Sequence, residues 1–282
     1  MPLIPHKNYP SPQDSTRKKA SNRMKRSPWQ IQKTVILALL LRELKTRFGA
    51  HRLGVIWLFL EPALQTALLM FIFSFMQKQA LIGIEFPVFL LTGVMPFLMF
   101  KSIAMRLMNS LEGNKALFAY RHVTPMDTFV ARAVLEALLY LAVFFILACG
   151  LIALGYRVEL LRPLEFMSII ATLAGMGLGL GLILSVLADA VPAAKTFVGM
   201  AFMPLYLLSG IFFPLTIIPE QYREWLLWNP LLHAIELVRA TFFVNYSVDN
   251  GISFAYIFSV TIVLMFVGLW LYRYRRLEMA SS

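Results

Sequence analysis

Charge is scarce in this sequence: Asp, Glu, Lys and Arg supply 15% of its 282 residues, where a soluble domain carries about a quarter. That scarcity excludes an ordinary water-soluble fold. Cysteine is scarcer still. The single Cys149 cannot close an intrachain disulfide and reads as a small apolar packing residue. Catalytic patterns are missing too. There is no HExxH, no GxSxG elbow and no Cys paired with a His. His233 and Glu236 lie one turn apart, but two ligands do not make a zinc site. No P-loop is present to cradle nucleotide phosphates on backbone amides, so the chain cannot hydrolyse ATP by that route. The alternating strand pattern of a membrane barrel is absent as well.

What is present is apolar length. Hydrophobic residues make up 59% of the chain, and mean hydropathy is +0.70. Runs long enough to cross a hydrocarbon core of about 30 Å occur at about Val55–Met76, Phe86–Met105, Thr128–Leu154, Leu164–Leu187, Ala194–Phe213 and Phe254–Tyr272. Each must satisfy its backbone internally, which makes it a helix. The expected fold class is all-α: a polytopic membrane protein with six transmembrane helices. Of the 26 Lys and Arg residues, all but Lys78, Arg157, Arg162, Arg223 and Arg239 fall on the side of both termini. Both termini are therefore expected in the cytoplasm. The net charge of +11 is expected to meet anionic lipid head groups, with no nucleic acid involved.

Within this frame, residues 1–28 form an expected disordered basic tail, too rich in Pro, Ser, Lys and Arg to bury a core. They contain no apolar h-region of a signal peptide. Residues 29–50 are expected to form an amphipathic interfacial helix, with Leu37, Leu41, Leu44 and Phe48 on one face. The cytoplasmic stretch Arg106–Asp127 has room for one short helix, about Leu111–Tyr120. Gly175, Gly177, Gly179 and Gly181 give the fourth span two overlapping GxxxG spacings, which favour close helix packing or an easily bent helix. From Phe213 to Asn250, Pro214, Pro219 and Pro230 cut the chain into pieces too short to span. These are expected to be re-entrant or interfacial helices on the outer side, with Trp225 and Trp228 among them. Few charges enter the membrane. Glu61 can stay near the cytoplasmic interface, and Arg132 with Glu136 is expected to form a self-neutralising i, i+4 pair. A nearly charge-free middle disfavours ion-coupled transport and suits a passage powered from outside the chain.

Four stretches, in order, carry a resemblance: Leu41–Pro62, Phe86–Gly93 (FPVFLLTG), Phe118–Asp127 (FAYRHVTPMD) and Trp228–Arg239 (WNPLLHAIELVR). Together they resemble ABC-2 type permeases, and in particular the inner-membrane permease of group 2 capsular polysaccharide exporters. The resemblance runs from about Trp29 to the C-terminus; the basic tail is longer than the family leads one to expect. It implies a multi-pass protein of the bacterial inner membrane, a homodimer bound to two copies of a cytoplasmic ABC ATPase subunit. ATP and Mg would sit on that partner, with no cofactor bound by this chain. A polysaccharide substrate and a periplasmic and outer-membrane export apparatus are implied as well. Residues 106–127 would couple to the ATPase through Glu112, Asn114, Lys115, Leu117, Phe118, Tyr120 and Arg121. Residues 213–250 would form a periplasmic gate region. Sugar C–H faces stack on aromatic rings, so Tyr206, Phe212, Phe213, Tyr222, Trp225 and Trp228 are the candidates for the path or gate. Other readings are an O-antigen or teichoic-acid permease, a membrane-embedded glycosyl- or acyltransferase, and a non-transporting scaffold for surface-polymer assembly.

Overall fold

The computed structural model describes residues 28–48, 53–76, 85–110, 125–244 and 246–281. Among them are nine α-helices, one 3₁₀ turn and no strand. The helices are α1 (Pro28–Phe48), α2 (Leu53–Met76), α3 (Phe86–Met108), α4 (Pro125–Ala153), α5 (Pro163–Ala190), α6 (Ala194–Leu208), α7 (Glu220–Leu226), α8 (Pro230–Phe242) and α9 (Phe254–Ser281). Four of them, α3, α4, α5 and α9, are long and apolar enough to cross a membrane; α2 and α6 contribute shorter apolar stretches, Phe59–Ile72 and Ala194–Leu208.

α3 is the centre of the bundle. Its sequence from Pro87 to Phe100 has no polar face, and every residue there is buried. A helix apolar all round belongs inside protein. Pro87 opens it, at a position whose N–H would be unpaired in any case. α4, α5 and α8 pack on α3, α9 packs along α5, and α1 leans on α4. The outward faces stay apolar: Phe197, Met200 and Met203 on α6 and Phe266 on α9 are exposed, as suits a lipid-facing surface.

The glycines of α5 set its distance from two neighbours at once. A Cβ on Gly179 would stand 2.8 Å from the backbone of Leu264 and Met265 in α9, and one on Gly181 would stand 2.7 Å from Leu107 Cβ in α3. Gly175 likewise faces Thr261 of α9, and Gly177 faces Ile103 of α3. One glycine pair serves each side. α9 answers with Gly268, whose Cβ would meet the Gly179 carbonyl at 2.8 Å. The spacing therefore serves close packing on both faces of the helix.

Three expectations change. The run Ala194–Phe213 is helical only to Leu208, because the chain turns at Ser209–Gly210, and Gly210 holds φ 67°, a region that glycine reaches without a Cβ penalty. Cys149 is exposed on the outside of α4 and is not packed. Arg132 and Glu136 do not pair with each other; each finds a partner on another helix, Glu43 of α1 and Arg106 of α3 respectively. α1 does form, with Leu39 buried and Leu37 and Leu41 exposed.

Gly179→Leu is expected to lower the apparent melting temperature of the detergent-solubilised protein, at a cost of about 1–3 kcal/mol from forced separation of α5 and α9. Gly150→Ala, with nothing within 4 Å of the new methyl, should leave it unchanged. Equal behaviour of the two variants would show that the α5–α9 contact is not tight.

Candidate functional site

The end of the bundle where α3 begins is organised by the segment that follows α6. Asn229 begins α8 by accepting a hydrogen bond from the Leu231 amide (3.0 Å), a side-chain N-cap. Its amide group donates to the Leu208 carbonyl (3.2 Å) and the Ser209 hydroxyl (3.0 Å), fastening α8 to the end of α6. Pro230 takes the first helical position, where no N–H is missed. One triplet, Trp228-Asn-Pro, thus starts one helix and closes another.

Further along α8 lies Arg239, with no solvent exposure. Its guanidinium donates to the carbonyls of Gly210 and Ile211, both at 2.8 Å, and to Glu236 Oε1 at 3.1 Å. It also stacks 3.5 Å over the Phe89 ring of α3, a cation–π contact. Glu236 is equally buried and accepts further hydrogen bonds from the Tyr246 hydroxyl (2.9 Å) and the Leu215 amide (3.4 Å). Burial pushes its carboxyl up from the ordinary range, while Arg239, Tyr246 and Leu215 hold it down. A Cβ on Gly93 would sit 2.9 Å from an Arg239 nitrogen. Phe89 and Gly93 in one stretch thus make room for Arg239 in another. Sequence reading counted Arg239 as an outer-side loop charge and missed this role. The available signal was Glu236 and Arg239 at i, i+3 on an otherwise apolar helix, where an ionisable residue needs a buried partner.

His233, on the same helix, is buried and uses both ring nitrogens. Nε2 donates to the Leu227 carbonyl at 2.7 Å, and Nδ1 accepts from the Ser253 amide at 3.1 Å. Those partners select one neutral tautomer. Burial lowers its pKa. Arg223 staples the outer surface from α7, donating to the carbonyls of Ile218 (2.6 Å) and Thr216 (2.7 Å) and pairing with Asp249 (3.3 Å). No three His, Cys, Asp or Glu side chains among the described residues gather as metal ligands.

The six path or gate candidates divide in two. Tyr206 and Phe212 pack edge to face with ring centroids 5.3 Å apart, and Tyr206 meets Phe97 of α3 in the same way at 4.9 Å. The Tyr206 hydroxyl is buried without a hydrogen-bond partner. Phe213, Tyr222, Trp225 and Trp228 are exposed on the outer segment, the two tryptophans by 80% and 82%. Glu112, Asn114, Lys115, Leu117, Phe118, Tyr120 and Arg121 lie outside the described residues. The helix ends that flank them are clasped, however. Arg106, near the end of α3, pairs with Glu136 of α4 at 2.7 Å, and Arg132 of α4 pairs with Glu43 of α1 at 3.0 Å while donating to the Arg106 carbonyl at 3.3 Å.

Residues 34–243 match the model of the ABC-2 type transporter family. The chain is 40% identical over 259 residues to the polysialic acid transport protein KpsM of Escherichia coli, covering 92% of this chain and 100% of that protein. It is 31% identical to the capsule polysaccharide export inner-membrane protein CtrC of Neisseria meningitidis serogroup A, covering 85% and 90% of the two chains. With the capsule polysaccharide export inner-membrane protein BexB of Haemophilus influenzae it shares 28% identity, over 83% and 89%.

Replacing Arg239 by Met strands the Glu236 carboxylate and two carbonyls. It should cost about 3–5 kcal/mol of stability, read as a large fall in melting temperature in detergent. A variant as stable as wild type would show that Arg239 does not hold the outer segment. His233 gives a pH dependence. Its folded pKa is lowered, so its contribution is complete above the ordinary value of about 6.5 and is lost as pH falls below it. Melting temperature should therefore fall from pH 7 to pH 5, and His233→Gln should flatten that dependence; an unchanged slope would assign it to other groups.

Proposed function

The chain belongs to the ABC-2 type transporter family, and on that premise we propose that it is the inner-membrane permease subunit of a capsular polysaccharide exporter. A separate cytoplasmic ATPase subunit would bind ATP and Mg and supply the energy. The reading includes a homodimer with two ATPase copies, six spans with α2 and α6 as the first and fifth, α1 along the cytoplasmic interface, and both termini in the cytoplasm. An export apparatus in the periplasm and outer membrane would receive the polymer. Near-complete coverage of three capsule or polysialic acid export proteins supports it. So does the lack of a P-loop in the sequence.

The observation that carries the mechanism is the course of α3. Its 23 residues give a rod of about 35 Å. One end leads into residues 111–124 and is clasped to α4 by Arg106 and Glu136. The other end holds Phe89 and Gly93 against Arg239. A displacement of the coupling segment by closing ATPase subunits would move α3, α4 and α1 as one body, because four side chains bind their cytoplasmic ends together. The same rod would then carry the displacement to the outer segment, where Phe213, Tyr222, Trp225 and Trp228 offer aromatic faces to sugar rings. Packed cores switch between discrete arrangements and do not deform continuously, so the gate would open as a step. Tyr206 and Phe212 would stand at the inner side of that gate.

Deleting the chain in its host is expected to leave polymer in the cytoplasm and none at the surface; a normal surface coat would reject the capsule assignment. Charge reversal at both Lys115 and Arg121 is expected to abolish co-purification with the ATPase subunit and to stop export. Unchanged export would remove the coupling role from this segment.

A further inference from the structure

A cavity of about 310 Å³ lies between α2, α3 and α4, lined by Glu61, Gln65, Lys101, Ser102, Arg106 and Tyr140, with Glu136 at its wall. Its size is at the lower end of small-ligand sites and about ten times a water's share of liquid volume. Arg106 is in the last turn of α3, and Lys101 lies about two turns from the end of that helix. By the distribution of basic residues this is the cytoplasmic side, so the cavity sits at the depth where inner-leaflet head groups meet the first acyl carbons.

Its charges are unevenly used. Glu136 lies 2.7 Å from Arg106 Nε through Oε1, an ion pair without hydrogen-bond geometry, and its Oε2 accepts from the Ser102 hydroxyl at 2.7 Å. Arg106 gives only Nε to that pair, and its side chain is 44% exposed. Lys101 and Glu61 have no ion-pair partner among the described residues, and they do not pair with each other. Glu61 is exposed and Lys101 half-buried, so an ammonium and a carboxylate held apart on one cavity wall are both open to a ligand carrying the opposite charges. The four charged groups, Lys101, Arg106, Glu61 and Glu136, sum to zero, so the complementary ligand is a neutral zwitterion. A lone phosphate would leave Glu61 unmet, and a neutral sugar could hydrogen-bond both groups but would bring no opposite charge to either.

We propose that this cavity is a binding site for the head group of a zwitterionic aminophospholipid drawn from the cytoplasmic leaflet. The phosphate would lie against Lys101 and the free Arg106 nitrogens. The primary ammonium would donate to Glu61 and to the Gln65 side-chain carbonyl. Leu64 and Leu68, next to Gln65 on α2 and both exposed, give the acyl chains an apolar surface to follow. The proposal stands apart from the transport reading, because it concerns a cavity within one chain and a lipid that is not exported.

Native mass spectrometry of the full-length detergent-purified protein tests it. The probes are phosphatidylethanolamine, phosphatidylglycerol, phosphatidylcholine and inorganic phosphate, titrated separately. Wild type should bind phosphatidylethanolamine about tenfold more tightly than phosphatidylcholine, whose methylated nitrogen cannot donate hydrogen bonds, given the usual strength of charged hydrogen bonds. Lys101→Gln should weaken phosphatidylethanolamine and phosphatidylglycerol alike by about tenfold, while Lys101→Arg retains binding. Glu61→Gln should erase the preference for the ethanolamine head group and leave phosphatidylglycerol binding intact. Equal affinity of wild type for phosphatidylethanolamine and phosphatidylcholine would overturn the proposal, and that comparison stands even if a variant fails to fold. Phosphate displacing the lipid at equal concentration would overturn it too, as would lipid affinities that neither substitution changes.

Discussion

A guanidinium with no access to water has to be satisfied from inside, and much of the outer half of this molecule is arranged to satisfy Arg239. Two carbonyls come from the turn after α6, a carboxylate from its own helix, and an aromatic face from α3. Each donor of these groups is thereby tied to the others. The turn at Gly210 must present its carbonyl inward, which a left-handed glycine allows. Gly93 must lack a side chain. Tyr246 must reach back to the carboxylate so that Glu236 is not left half-paired. Removing any one of them leaves a buried polar group without its partner, so the cost falls on the whole cluster.

The opposite end of α3 is held by two ion pairs, Arg106–Glu136 and Arg132–Glu43, in which Arg106 alone is substantially exposed and Glu136 is buried. Both pairs join separate helices through one side chain from each, and solvent reaches them at Arg106. They are suited to a boundary that must be stiff in one state and rearranged in another. The buried cluster at the outer end has no such latitude. The rod between them thus joins a clasp that solvent reaches to a cluster that it does not.

How much of this was legible depended on the kind of signal. The all-helical class followed from apolar run length, and the close approach of α5 followed from Gly175 to Gly181, because both are local patterns. Helix starts at Pro87, Pro163 and Pro230 fell near the expected positions for the same reason. What could not be read were pairings between distant segments. Arg132 and Glu136 stand four residues apart on one helix and look like a pair, yet each turns to a different neighbour, since the bundle offers closer partners. The length of α6 was overestimated because apolar composition continues past Leu208, while the turn is enforced by Arg239 some thirty residues later. Lys101 and Glu61 looked like interface charges; only the packing of α2 against α3 and α4 reveals that they share a cavity. Trp225 and Trp228 fall on a segment broken into short helices, as the prolines led one to expect, but nothing in their spacing separates them from Tyr206 and Phe212.

The glycine contacts of α5 have a consequence for how the bundle can move. Helices that meet through interlocking side chains can slip past one another by changing rotamers, one small hop at a time. Where backbone meets backbone, as at Gly179 and Gly268, there is no rotamer to change and so no graded slip. α3, α5 and α9 therefore behave as a laminate, bonded on both faces of its middle ply. α6, with Phe202 as its only fully buried residue, is outside that laminate and is held instead by single side-chain contacts, Tyr206 on Phe97 and Asn229 on Leu208.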